Sequence, residues 1–153
     1  MSGIKANEYL KLKNLLSFDL LSQQLNSYLK NMNLLYAIQI DADFNCIKLR
    51  ILRPQKKPYP LLEQVWAGQA IHLLHNVKGT MVGFFFPIHM QCLNMINYHF
   101  HFITHDYQWG GHVLDVDIKA ASVAAQRVQQ FNLYLPNTAS FSEFQFENTI
   151  PNS

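Results

Sequence analysis

Three histidines, His99, His101 and His112, lie within the stretch NYHFHFITHDYQWGGHVLD, which runs from Asn97 to Asp115. On a strand, His99 and His101 project from one face while Phe100 and Phe102 take the other. If the chain reverses through HDYQ, a register that sets His112 across from His101 gathers all three imidazoles on one face. Three neutral ring nitrogens with one open position are what a catalytic zinc requires, because the fourth position must admit water or substrate. Gly110 and Gly111, just before the third histidine, keep side-chain bulk away from the opening and allow unusual φ. Spacing alone leaves a second reading open, a sheet in which imidazoles merely share a face. The remaining histidines read as surface or hydrogen-bonded groups: His72 and His75 face opposite ways on a strand, His89 follows Pro87 in a loop, and His105 sits in the turn itself.

The elements that must position these residues can be read along the chain. Ser17 is placed to cap a helix whose apolar face carries Leu21, Leu25, Tyr28, Leu29 and Met32, ending near Asn31 to Asn33. LLYAIQI and CIKLRIL follow, separated by the turn-prone DADFN, and read as a β-hairpin. In the second of these strands a period of two puts Lys48 and Arg50 on one face and Ile47, Leu49 and Ile51 on the other. RPQKKPYP is an extended or turning connection, since each proline fixes φ and biases the residue before it away from helix. A short helix, LLEQVWAG, is expected next. QAIHLLHNV and GTMVGFFFP read as two further strands, the second with Gly79 and Gly83 where a bulge or close backbone approach is expected. INYHFHFI turning back into GHVLDVDI completes the series. KAASVAAQRVQQF stays undecided, its alanines favouring helix and its position favouring a continued sheet.

Composition narrows the function. The 153 residues, 49% of them hydrophobic and 14% charged, suffice for one domain with a packed core, expected over 1–153. The longest apolar run, MVGFFFPI, is too short to span a bilayer, and the N-terminus lacks the apolar core and cleavage site of a secretory signal. No membrane association is expected, and a cytoplasmic location is the default. A formal net charge of +2 spread along the chain gives no footprint for nucleic acid. Cys46 and Cys92 lack CxxC spacing and read as small apolar fillers.

KGTMVGFFFP followed by NYHFHFITHDYQWGGHVLD resembles the signature of the α-acetolactate decarboxylases. NLLYAIQIDADFNCIKLRILRPQKKPYPLLEQV resembles an upstream block of the same family, and the agreement runs from about Ser17 to Phe141, LYLP included. The resemblance implies an α+β fold, mostly antiparallel sheet with one or two helices, forming part of a two-domain structure. It implies that His99, His101 and His112 bind Zn2+ and that Arg50 lines the active site, holding the substrate carboxylate or a developing oxyanion. It further implies a small-molecule substrate, 2-acetolactate, converted to acetoin and carbon dioxide on the route to acetoin and butanediol, with zinc as Lewis acid.

The sequence also departs from the family. The family chain is longer, and its N-terminal portion, which carries a glutamate reaching the active site, has no counterpart here. Glu143 and Glu147 lie near the position of a second family glutamate, and neither is securely matched to it. Cys92 and Asn97 stand where glycines are favoured, and Tyr107 where arginine is common. The expected states are therefore a working decarboxylase, completed as a homodimer or by a separate chain supplying the missing segment, or a truncated, inactive relative that keeps the metal-binding hairpin. A cupin-type site is disfavoured, because no carboxylate other than Asp106 follows the HxH at short spacing and the third histidine comes too soon.

Overall fold

The computed structural model describes residues 9–15, 17–51, 70–93, 96–135, 137–138 and 142. The proline-rich connection, the helix expected at LLEQVWAG, and Glu143 and Glu147 lie outside them. Five strands and one α-helix follow in the order β1 (Leu10–Leu15), α1 (Phe18–Leu29), β2 (Tyr36–Ile51), β3 (Ala70–Phe86), β4 (Asn97–Thr104) and β5 (Gly110–Arg127). Every strand pairing is antiparallel, in the sheet order β1-β5-β2-β3-β4. A further pairing of β4 with β5 closes β5, β2, β3 and β4 into a ring. One edge of β5 serves β2 along nearly its whole length. Its other edge is shared between β4 at Gly110–His112 and β1 at Ile118–Val123.

The capping expectation at α1 is met: the Ser17 hydroxyl accepts the Leu20 N–H at 3.2 Å, and Leu21, Leu25 and Leu29 form the buried stripe. The helix stops at Leu29, where Lys30 follows at φ 60°, three residues before its apolar pattern ends at Met32. A second acceptor comes from far along the chain, since Asp115 Oδ1 on β5 takes the Phe18 N–H at 2.9 Å. A carboxylate there satisfies an orphan donor and faces the positive end of the helix dipole.

The hairpin expected at LLYAIQI and CIKLRIL is one strand, and so are the two strands expected at QAIHLLHNV and GTMVGFFFP. β2 runs unbroken through DADFN, and β3 unbroken through the junction of QAIHLLHNV and GTMVGFFFP. The reason is tertiary. Ile38, Ile40, Ala42 and Phe44 carry a buried period-two stripe straight through the turn-prone segment, and β2 is paired on both sides, to β3 and to β5. The irregularity is absorbed by register shifts against β5 near Phe44 and by a ladder to β3 that skips Asn45 and Asn76, the latter at φ 52°. The undecided KAASVAAQR segment is strand, with Ala120 and Ala121 paired between β1 and β2 and Ala124 and Ala125 paired to β2.

The core fills the ring and the space under α1. Ile38, Ile40, Ile47, Leu49, Met81, Ile118 and Val123 are fully enclosed, with Phe100 and Phe102 from β4 packed against them. The phenylalanine rings also explain two glycines. A Cβ on Gly83 would run into the His99 carbonyl and the Phe100 ring, and one on Gly79 into the Ile103 carbonyl and the Phe102 ring. Each ring lies over a glycine on the neighbouring strand, so β4 seats closely on β3 with its aromatic face inward and its histidine face outward.

Candidate metal centre

The β4–β5 hairpin supplies the histidines. Its ladder pairs His101 with His112, Phe102 with Gly111 and Ile103 with Gly110, which is the register that sets the third histidine opposite the second. His99 lies one pleat further along the same face. The ring centroids are 4.7 Å apart for His99 and His112, 5.3 Å for His99 and His101, and 5.5 Å for His101 and His112. One nitrogen from each ring lies within 4.8 Å of the other two, and the Nε2 atoms of His99 and His101 are 3.3 Å apart. Zn–N bonds of about 2.0–2.1 Å in a tetrahedral set place nitrogens roughly 3.3–3.4 Å apart, so one edge of such a set is already drawn.

Arg50 joins the cluster from the neighbouring strand. Its backbone pairs with His112 on one side and Ile71 on the other, and its side chain points away from buried Leu49, as the alternation requires. Electrostatics ties the four groups together. Burial first, then His99, the Arg50 cation and His101, push the His112 imidazole down to about 4. Burial, His101 and Arg50 likewise lower His99. Both rings are therefore neutral at pH 7, the state in which an imidazole nitrogen has a lone pair for a metal. An imidazole-only donor set fits zinc or another borderline divalent ion. Among the described residues no carboxylate or thiol joins this group, which sets it apart from the cupin arrangement.

Gly110 and Gly111 act differently from the expectation. Neither has positive φ. A Cβ on Gly110 would stand 2.9 Å from the Phe102 carbonyl oxygen, and one on Gly111 2.8 Å from that of Arg50. Clearance is their role. Gly111 lets β5 draw up against β2 at Arg50, which brings the arginine and His112 to one place.

Of the remaining histidines, His89 lies in a 3-10 helix, Ile88–Leu93, where a loop was expected. His75 is exposed, His105 is in the turn, and His72 stands beside the Trp109 ring at 5.3 Å. Cys46 is a free, half-buried thiol held protonated by burial and by Asp117 and Asp115. Residues that pattern reading passed over are Asp115, which ties α1 to the histidine strand, and the Thr104–Asp106 pair in the turn. A threonine two before an aspartate in a turn is a side-chain-to-backbone signal; the Asp115 contact, 97 residues from its partner, has no local signal.

A closed antiparallel β-domain with three imidazoles and an arginine on its outer face is a β-protein equipped to hold a divalent metal ion. A family model for alpha-acetolactate decarboxylase matches residues 1–148, and the chain belongs to that family. The alpha-acetolactate decarboxylase of Bacillus subtilis is 39% identical over 127 residues, covering 82% of this chain and 49% of its own. That of Brevibacillus brevis is 34% identical over 131 residues, covering 86% and 46%. A crystal structure of the B. subtilis protein superposes with a TM-score of 0.85 at 32% identity, covering 95% of this chain and 62% of that one. The chain spans about half the length of the curated relatives it matches. No helix among the described residues is long and apolar enough to cross a membrane.

Proposed function

We propose that this chain holds a zinc ion at His99, His101 and His112 and decarboxylates 2-acetolactate to acetoin and carbon dioxide. The convergence of three imidazole nitrogens within 4.8 Å carries the reading, and family membership supplies the substrate class. When bound, the ion supplies Lewis-acid stabilisation of negative charge developing on substrate oxygen.

The chain's own residues do the rest. Neutral His99 and His112 present lone pairs without first losing a proton, so the site is ready at neutral pH. Arg50 offers a planar cation to the carboxylate of an arriving substrate, orienting it by a charge-assisted and potentially bidentate contact. The bond between C2 and the carboxyl carbon then breaks, its electron pair stays on the substrate as an enediolate, and carbon dioxide leaves. Returning a proton to C2 gives acetoin. The product feeds acetoin and butanediol formation, in a cytoplasmic setting and as one domain over 1–153. Assembly as a homodimer belongs to the same reading.

Metal analysis and an acetoin colour assay with racemic acetolactate test this. The purified full chain is expected to carry one equivalent of zinc and to release acetoin. Substoichiometric zinc, or zinc retained after His99→Ala and His101→Ala together, defeats the ligand assignment. Bound zinc without acetoin defeats turnover and leaves an inactive relative.

A further inference from the structure

The three histidines converge only if β4 and β5 keep one register, and the ladder that joins these strands is three residue pairs long. Two of its β5 members are Gly110 and Gly111, which have no side chains to interlock with β4. Side chains alternate with a period of two, so a slip of one residue would carry His112 to the opposite face. The register must be held from outside the ladder.

On their other edges β4 is paired to β3 and β5 to β2, and the turn at 105–109 joins the two strands directly. Thr104, at 5% exposure, is the buried polar residue among those described. Its hydroxyl donates to Asp106 Oδ1 at 2.5 Å and accepts the Trp109 N–H at 3.1 Å. The same carboxylate oxygen accepts the Gln108 N–H at 3.0 Å. Backbone bonds from Thr104 N to the Trp109 carbonyl and from Tyr107 N to the Thr104 carbonyl, each 2.9 Å, complete the frame. Tyr107 sits inside it at φ 59°, a conformation that a non-glycine residue keeps only when its surroundings impose it.

We propose that the Thr104 hydroxyl and the Asp106 carboxylate are positioning residues for the metal centre: they lock the turn, fix His112 opposite His101, and so set the spacing of the ligand nitrogens. The inference rests on the zinc-site reading above. Neither residue touches the metal position, and their effect passes through the hairpin alone.

The test uses the full chain, with cobalt(II) as a coloured probe in place of zinc, and the variants Thr104→Val, Thr104→Ser and Asp106→Ala. Valine keeps the shape and removes the hydroxyl, whereas serine keeps the hydroxyl. Thr104→Val and Asp106→Ala are expected to weaken cobalt affinity by roughly 10–100-fold, as for other groups that orient ligands, and to alter its visible spectrum. Thr104→Ser is expected to restore both. Leu25→Ala, a core change in α1, lowers the melting temperature and is expected to leave the affinity of the folded protein unchanged. Wild-type affinity and spectrum in folded Thr104→Val overturn the lock; if that variant does not fold, Asp106→Ala decides by the same readout. Should wild type bind no cobalt, the zinc-site reading fails, and the lock is judged separately by NMR. Cross-strand NOEs between His101 and His112 are expected in wild type and lost in Thr104→Val; their persistence overturns it.

Discussion

The two faces of β4 are built from the same eight residues and do opposite things. On the inner face Phe100 and Phe102 are almost wholly enclosed, each over a glycine of β3, with Phe102 edge-on to Phe44 at 5.2 Å and Phe100 edge-on to Phe18 at 6.2 Å. On the outer face His99 and His101 stand open, in contact chiefly with each other and with His112. The inner face is over-determined by packing, and the outer face inherits its geometry from it. A cluster of imidazoles on this outer face can keep its spacing because the strand beneath them is closely packed on its other side.

The faces should therefore fail in different ways. Phe100→Ala removes a ring from a packed core and is expected to destabilise the metal-free protein by about 3–5 kcal/mol, read as a lower urea midpoint. His112→Ala is expected to change metal-free stability by less than about 0.5 kcal/mol, while lowering zinc affinity by more than the roughly 10–100-fold of an outer-shell change. Chelator competition measures the second quantity. If Phe100→Ala unfolds no more easily than wild type, or His112→Ala binds zinc as wild type does, the division of labour between the faces is wrong.

A third variant asks how far the inner frame extends. Asp115 accepts N–H bonds from both Phe18 and Val116, so it anchors α1 to β5 three residues beyond His112. Asp115→Ala leaves one helix donor without its acceptor and is expected to cost about 1 kcal/mol. Because α1 lies on the core side, zinc affinity of the folded variant should not follow. An affinity loss as large as that of His112→Ala would mean that the helix, and not the hairpin, holds the ligands.

The histidine face was legible because it depends on short-range rules: alternation places His99 with His101, and a hairpin brings His112 back. The helix was legible for the same reason, since Ser17 and the Leu21, Leu25, Leu29 spacing are local. The unbroken β2 and β3 were not, because DADFN has turn chemistry and only pairing on both sides overrides it. β1 was missed altogether, as Leu10–Leu15 gains its partners only from Ile118–Val123, about a hundred residues on. Positive φ was expected at the glycines before His112, where it is available without strain, and occurs at Tyr107, where the Thr104–Asp106 frame enforces it. Local patterns picked out the residues that converge; the contacts that hold them in place are partly local, as in the Thr104–Asp106 turn, and partly between distant parts of the chain, as in the β2–β5 ladder.

The smallest expected effect separates the faces by pH. In the folded chain the His112 pKa is lowered to about 4 and that of His99 is also lowered, whereas an imidazole in the unfolded chain titrates near 6.5. Between these values the unfolded state binds more protons than the folded one, so stability falls as pH falls from about 6.5 towards 4 and is level for these groups above that window. Both rings retain solvent contact, which screens the effect, so the slope is shallow. Urea midpoints of metal-free protein at pH 7.5 and pH 5 should therefore differ in wild type and differ less in His112→Ala. Phe100→Ala, which touches only the enclosed face, should be displaced downward at both pH values with the wild-type slope retained. Equal slopes in wild type and His112→Ala would place the titrating groups elsewhere and remove pH sensitivity from the histidine face.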